Sequence, residues 1–126
     1  MERFSFAPDV AFVPHGDLLD HVTVAPLTAS IVEGAPIQAA IFRFAPGGEL
    51  RRHPATDPQI LAVLEGSGTV SGEGGIEEPI AAGEAVFLHA GEEHGMKSAH
   101  GLTALIIEGQ NLDRFRKRRD PGASVC

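Results

Sequence analysis

Two histidines, His53 and His94, stand in similar surroundings and are the residues of this chain best suited to chemistry. His53 comes six residues after Gly47, and His94 comes three residues after Gly91, each beyond a glycine turn. Imidazole nitrogens bind divalent transition metals, and they also form ordinary hydrogen bonds inside a protein. We call each glycine turn with its following histidine a histidine unit. The two histidine units predict either a metal site or a buried pair of hydrogen-bonded histidines.

The segments that must position these histidines are short and apolar, and turn residues separate them. The strand predictions cover residues 41–44, 59–66, 68–72, 85–89 and 101–108, and a hairpin turn is predicted at Gly72–Gly75. Fifteen glycines and nine prolines suit a fold of many short strands. Strand spacing without intervening helical periodicity predicts an all-β sandwich or barrel. Only residues 109–119 predict a short helix, with Asn111 as its N-cap.

Two predicted strands are apolar at nearly every position. In residues 60–64 and 102–107 the apolar residues do not alternate with polar ones. Because side chains of a strand point alternately to its two faces, both faces are predicted to be buried. A small barrel covers only its inner face, so the sequence predicts a homodimer.

The two histidine units resemble the paired sequence motifs of the cupins. Gly47, His53, Gln59 and Gly66 fall at the spacing of the first motif, and residues 83–98 follow the second motif with Gly83 and His94. The resemblance covers residues 45–109. It implies a cupin-type double-stranded β-helix, a jelly-roll barrel, formed by a single domain of residues 1–113 with a basic tail at 114–126.

The resemblance also implies a metal site in the barrel, which cupins usually build from three histidines and one carboxylate. This chain keeps His53 and His94, whereas Ala55 and Gln59 occupy the other two ligand positions. Ala55 cannot coordinate an ion, and Gln59 offers a neutral oxygen. Two nitrogens and one neutral oxygen suit Zn, Fe, Ni or Cu better than Mg²⁺ or Ca²⁺, which prefer anionic oxygen ligands.

Three further positions bear on this predicted site. His89 stands five residues before His94 and is a candidate fourth ligand, a residue of the pocket mouth, or an outward-facing histidine. Arg51 precedes His53 by two residues and would share its face in an extended strand, where it could hold a carboxylate ligand. An outward-facing Arg51 is the alternative. Ser98 replaces the asparagine that ends the second cupin motif.

Two functional hypotheses remain open at this point. The first is a cupin that binds a divalent metal, a small organic ligand or both inside its barrel, with the metal-free module as its vestigial form. The second is a metal-dependent enzyme of the isomerase or dioxygenase type acting on a small organic substrate. The chain has no Tyr or Trp and no evident general base at the site, so no catalytic residue is assigned and no organic cofactor is predicted.

Charge and composition exclude other classes of partner. Residues 1–113 carry five basic and sixteen acidic side chains, which disfavours binding to nucleic acid. The basic segment 114–119 predicts a solvated tail. No apolar run reaches the roughly 20 residues of a membrane span. The absence of a signal-like N-terminus and the single cysteine, Cys126, predict a cytoplasmic protein.

Overall fold

Seven β-strands make up most of this computed structural model, which describes residues 1–29, 36–115 and 117. The strands are β1 (Leu19–Pro26), β2 (Gln38–Pro54), β3 (Gln59–Ser71), β4 (Glu77–Ala81), β5 (Ala85–Leu88), β6 (Glu93–Lys97) and β7 (Leu102–Glu108). Single turns of 3₁₀ helix lie at Pro8–Val10 and Leu112–Arg114. The all-β class predicted from the turn-rich sequence is confirmed.

The strands form two sheets that share the two longest strands. The first halves of β2 and β3 lie on either side of β7, with β1 and β5 at the edges. The second halves of β2 and β3 lie on either side of β6, with β4 at the far edge. Every pairing is antiparallel, and the sheets close into the predicted jelly-roll barrel.

The barrel interior is filled by apolar side chains from both sheets. Along β3 and β7, buried residues alternate with half-buried ones, as the two faces of a strand require. Thirteen buried side chains form one core cluster: Val22, Phe44, Leu50, Leu61, Val63, Val70, Ile80, Val86, Leu88, Met96, Leu102, Ala104 and Ile106. The inner faces of β3 and β7 are thus fully covered, whereas their outer faces are only half covered.

The connections agree with the predicted turns. The main-chain N–H of Gly75 donates to the carbonyl of Gly72 at 3.0 Å, which closes the predicted hairpin between β3 and β4. The predicted strands at 59–66 and 68–72 form one continuous strand, β3, and Gly66 lies inside it with a φ of +80°. Strand β3 changes from one sheet to the other there, because a left-handed residue turns the chain without a side-chain clash.

Within the described part of the predicted C-terminal helix, a 3₁₀ turn covers Leu112–Arg114, and the Asn111 side chain makes no capping hydrogen bond. Arg114 and Lys117 are exposed, while the other basic residues of the predicted tail, at 116, 118 and 119, lie outside the described residues. Within the ranges 1–29 and 36–115 and at 117, no helix combines the length and apolar character needed to cross a bilayer.

Candidate functional site

A β-bulge in strand β2 turns His53 into the barrel. Leu50 pairs with Met96 and His53 pairs with His94, so two residues of β2, Arg51 and Arg52, face the single residue Gly95 of β6. The extra residue shifts the alternation of faces, because an inserted residue reverses the side on which the following side chains lie. Leu50 and His53 therefore both point inward although they are three residues apart.

The bulge brings the two predicted histidines into contact. The ring centroids of His53 and His94 lie 4.3 Å apart, and the ring planes are tilted by 52°. His94 is fully buried, and His53 is half-buried. The structure thus joins two residues that stand 41 positions apart in the chain.

Main-chain carbonyls orient both rings in the same way. Nδ1 of His53 lies 2.8 Å from the carbonyl oxygen of Arg51, and Nδ1 of His94 lies 3.4 Å from that of Glu92. A carbonyl only accepts hydrogen bonds, so each Nδ1 must carry the proton. In the neutral rings each Nε2 is then unprotonated, which is the arrangement that second-shell hydrogen bonds give to metal-binding histidines.

The buried member of the pair is strongly disposed to stay neutral. Burial, followed by the neighbouring His53, lowers the pKa of His94 to about 4. Its Nε2 is buried and has no hydrogen-bond partner among the described residues. An unsatisfied buried acceptor costs roughly 1–3 kcal/mol, so a metal ion or a donor group at this nitrogen would stabilise the site.

The other two positions of the first motif also face the interior. Ala55 is buried, and its main chain accepts from the N–H of Gly91 at 2.6 Å and donates to the carbonyl of Glu92 at 2.9 Å. Gln59 is buried on the inner face of the other sheet, where it pairs with Glu108 of β7 and Leu88 of β5. Gln59 thus presents a neutral amide group to the interior. The main chain of Ala55 stabilises the turn that precedes His94 through its hydrogen bonds with Gly91 and Glu92.

The structure places His89 on the outer side of the barrel, which agrees with the outward-facing alternative and not with the roles of fourth ligand or pocket residue. Val86 and Leu88 of β5 belong to the core, so Phe87 faces outward. The exposed ring of His89 packs edge-on against Phe87 with centroids 5.1 Å apart. The side chain therefore follows the outer face of the strand.

The side chain of Arg51 also lies away from the predicted metal site. Its guanidinium hydrogen-bonds to the carbonyl of Asp17 and lies 3.6 Å from the carboxylate of Asp20. The face-sharing prediction assumed a regular strand, and the bulge between Leu50 and His53 removes that assumption. Arg51 thus contacts Asp17, before β1, and Asp20, near the start of β1, which agrees with the outward-facing alternative.

Glu92, to which the sequence assigned no role, shapes the turn before His94. Its carboxylate accepts the main-chain N–H of His89 at 3.0 Å, and its N–H donates to the carbonyl of His89 at 3.0 Å. Its carbonyl also receives the Nδ1–H of His94. The sequence shows two glutamates directly before His94. This pattern does not reveal that Glu92 forms hydrogen bonds with the main chain of His89 and with the ring of His94.

The donor set fits a borderline transition metal and does not fit a hard cation. Two imidazole nitrogens face the interior, together with the neutral amide of Gln59, and none of these groups is anionic. In the part of the chain that the structure describes, no cluster of three or more His, Cys, Asp and Glu side chains is suited to hold an ion.

Comparison with known proteins agrees with this architecture. Residues 40–108 match the sequence profile of the cupin domain. Over 85 residues, 60% of this chain, the sequence is 40% identical to a dimethylsulfoniopropionate lyase, DddW, of Ruegeria pomeroyi (strain ATCC 700808 / DSM 15171 / DSS-3). The aligned region spans 55% of that relative's length.

Solved structures show the same fold at low sequence identity. The polyketide cyclase RemF of Streptomyces resistomycificus superposes with a TM-score of 0.70 at 23% identity, covering 86% of this chain and 78% of the other. An RmlC-like cupin of Shewanella frigidimarina NCIMB 400 superposes with a TM-score of 0.68 at 20% identity, covering 92% and 97%. At these identities the likeness concerns the barrel alone.

Proposed function

This chain belongs to the cupin family, and on that premise we propose that it binds a divalent transition-metal ion through Nε2 of His53 and Nε2 of His94, beside a small organic ligand. The observation that carries the proposal is the buried Nε2 of His94, which lacks a hydrogen-bond partner among the described residues. A buried nitrogen held in its unprotonated form is suited to a metal and costs free energy when left alone.

The roles of the chain's own residues follow from their positions. His53 and His94 would hold Zn, Fe, Ni or Cu, and Gln59 would add a neutral oxygen from the opposite sheet. When bound, such an ion acts as a Lewis acid on an oxygen of the ligand. The carbonyls of Arg51 and Glu92 would keep the two rings in the required tautomer.

Elemental analysis of untagged protein, combined with thermal melts with and without a chelator, tests this proposal. Specific metal binding should stabilise the fold by about 2.7 kcal/mol at a free ion concentration 100 times Kd, and the chelator should remove that gain. His53→Ala should lower the metal content and the chelator response while the protein stays folded. His100→Ala, at an exposed histidine, is the matched control and should change neither.

Two results would refute the proposal. Substoichiometric metal with no chelator response would leave a metal-free binding module as the better description. A metal content unaffected by His53→Ala would mean that the ion binds elsewhere.

A metal-dependent enzyme is the second candidate, and the lyase relative of Ruegeria pomeroyi favours it. The substrate in that relative's name joins a sulfonium cation to a carboxylate, so it is a small zwitterion. Incubation of the metal-loaded protein with dimethylsulfoniopropionate, followed by NMR, tests this candidate directly. Loss of substrate signal that depends on both His53 and metal would support a lyase. No loss above the buffer control would argue against one.

A further inference from the structure

A pocket open to solvent lies where the pairing of β1 with β2 is interrupted. The register shifts between Asp20 and Val22, where four residues of β2, at 45–48, lie opposite the single residue His21. The extra residues must leave the line of pairing, because four residues cannot follow the path of one. The pocket has a volume of about 340 Å³, and it is lined by residues 21–23, residues 43–45 and Val13.

The main chain at His21 holds this part of β1 in an unusual conformation. His21 has a φ of +53°, and among the described residues it is the one non-glycine residue with a positive φ. Such a conformation persists where the surrounding structure imposes it, and it is found most often beside binding sites. A Cβ at Gly48 would lie 2.8 Å from the carbonyl oxygen of His21. The two main chains therefore pack closely at one end of the interruption.

The walls of the pocket are mainly apolar. Val22 and Phe44 belong to the core, are each 3% exposed and form its floor. Val13, which is 73% exposed, and Ala45 lie at its rim. At roughly 30 Å³ for a water-sized group, the volume suits a ligand of about 11 heavy atoms. An apolar group of that size would release water from the exposed walls.

Arg43 gives the pocket a positive charge that no carboxylate of the described residues neutralises. The half-buried Arg43 donates from Nη1 to the carbonyl of Phe6 at 2.9 Å, which is a neutral acceptor. The other basic side chains of the strands lie within 4.0 Å of a carboxylate: Arg51 of Asp20, Arg52 of Glu93 and Lys97 of Glu77. A guanidinium has five N–H donors, so Arg43 keeps donors for an external acceptor.

The pocket offers nothing comparable to a cation. No acidic side chain is among its lining residues. Asp20, the nearest acid along the chain, lies 2.9 Å from Nδ1 of His21 and 3.6 Å from the guanidinium of Arg51. A cationic or zwitterionic ligand would thus lack a counter-charge, whereas an anionic group would meet Arg43.

We propose that this pocket is a second ligand site, which binds a small monocarboxylate with a compact apolar tail. The carboxylate accepts charge-assisted hydrogen bonds from Arg43, and the tail lies against Val22 and Phe44. None of the lining residues belongs to the His53–His94 site, and no metal ion is needed. The inference is therefore independent of the proposed function.

NMR titration of ¹⁵N-labelled full-length protein with phenylacetate and phenylacetamide tests the inference. The two probes have the same shape, but only phenylacetate is charged. Both should shift the main-chain amide signals of Val22, Thr23 and Ala45. Phenylacetate should bind about 10-fold more tightly, as hydrogen bonds to a charged group imply. The result should be the same with and without a chelator.

Three variants assign the preference to this pocket. Arg43→Gln should reduce the affinity ratio of the two probes to about one, because the charge is lost. Arg52→Gln, at an arginine that lies near Glu93 on the other sheet, is the matched control and should retain the ratio. Val13→Asp leaves the bond between Arg43 and Phe6 in place. It should weaken the binding of phenylacetate and not that of phenylacetamide, because like charges repel.

Equal affinity of wild type for the two probes would overturn the inference. So would the absence of shifts around the pocket at the highest soluble probe concentration, or a preference that survives Arg43→Gln. Shifts centred on His53 and His94 that vanish with the chelator would place the carboxylate at the proposed metal site instead. If Arg43→Gln fails to fold, an unchanged affinity of Val13→Asp for phenylacetate would overturn the inference.

Discussion

At the scale of single residues, the site depends on two main-chain carbonyls. The carbonyl of Arg51 receives the Nδ1–H of His53, and the carbonyl of Glu92 receives that of His94. Both acceptors are main-chain atoms, so substitution of the Arg51 or Glu92 side chain need not remove them. The tautomer of each ring is thus set by the path of the chain, and the Nε2 atoms are left available.

The lowered pKa of His94 predicts acid sensitivity of the metal-free protein. In the unfolded chain the pKa of histidine is near 6.5, whereas in the folded protein the pKa of His94 is about 4. Between these values only the unfolded state takes up the proton. The free energy of unfolding should therefore be unaffected by His94 above pH 6.5. It should fall by roughly 3 kcal/mol as the pH drops to about 4, then level off.

Chemical denaturation of chelator-treated protein from pH 7.5 to 4 measures this slope. His94→Gln should flatten it, because the variant has no group that titrates at this position. His100→Ala, at the surface, should leave the slope as in wild type. A slope that survives His94→Gln would assign the acid sensitivity to other groups.

At the scale of elements, the barrel depends on strands that serve two sheets. Strand β2 spans 17 residues and β3 spans 13, and each crosses from one sheet to the other. The crossing of β3 occurs at Gly66, which pairs with Leu102 of β7. A side chain at position 66 would meet the carbonyl of Gly101 and would lie 2.9 Å from Cα of Leu102. Both conformation and space therefore require glycine there.

Gly66→Ala should destabilise the protein more than Gly74→Ala. Both glycines have positive φ, but nothing lies within 4 Å of a Cβ built at Gly74. The left-handed conformation alone costs about 1–2 kcal/mol in each variant. The clash with the main chain of Gly101 and Leu102 should add about 1–3 kcal/mol at position 66. Urea denaturation of the two variants measures the difference, and equal losses would contradict the close approach of β3 and β7.

At the scale of the whole molecule, the outer face of the first sheet stays partly apolar. Ile60 pairs with Ile107 and Ala62 pairs with Leu105 on this face, while Leu64 at its edge is 48% exposed. The structure leaves these side chains half-covered within one chain, as the non-alternating sequence pattern anticipated. We propose that a second copy of the chain covers this face.

The proposed homodimer predicts a solution mass of twice 13.2 kDa by light scattering. Ile107→Lys should shift the protein to a monomer with unchanged far-UV circular dichroism, because a charge in the centre of the face opposes burial. Ile76→Lys, in the loop between β3 and β4 where Ile76 is already 76% exposed, should remain a dimer. A monomeric wild type would contradict the proposal.

The amino-acid sequence predicted an all-β sandwich or barrel, its resemblance to the cupin motifs implied the jelly-roll barrel, and both placed His53 and His94 in similar surroundings. Glycine turns, short apolar strands and the spacing of two motifs are local patterns, and they specify where strands begin and end. The inward position of Gln59 could also be predicted, because residues two apart in a strand share a face and Leu61 is an apolar core residue.

Only the tertiary structure decided which other polar side chains belong to the interior. Arg51 turns outward because a bulge opposite Gly95 inserts one residue, and His89 turns outward because it continues the outer face of β5. Strand faces alternate with every residue, so one inserted residue reverses them. Such insertions arise from pairing between distant strands, which local sequence patterns do not encode.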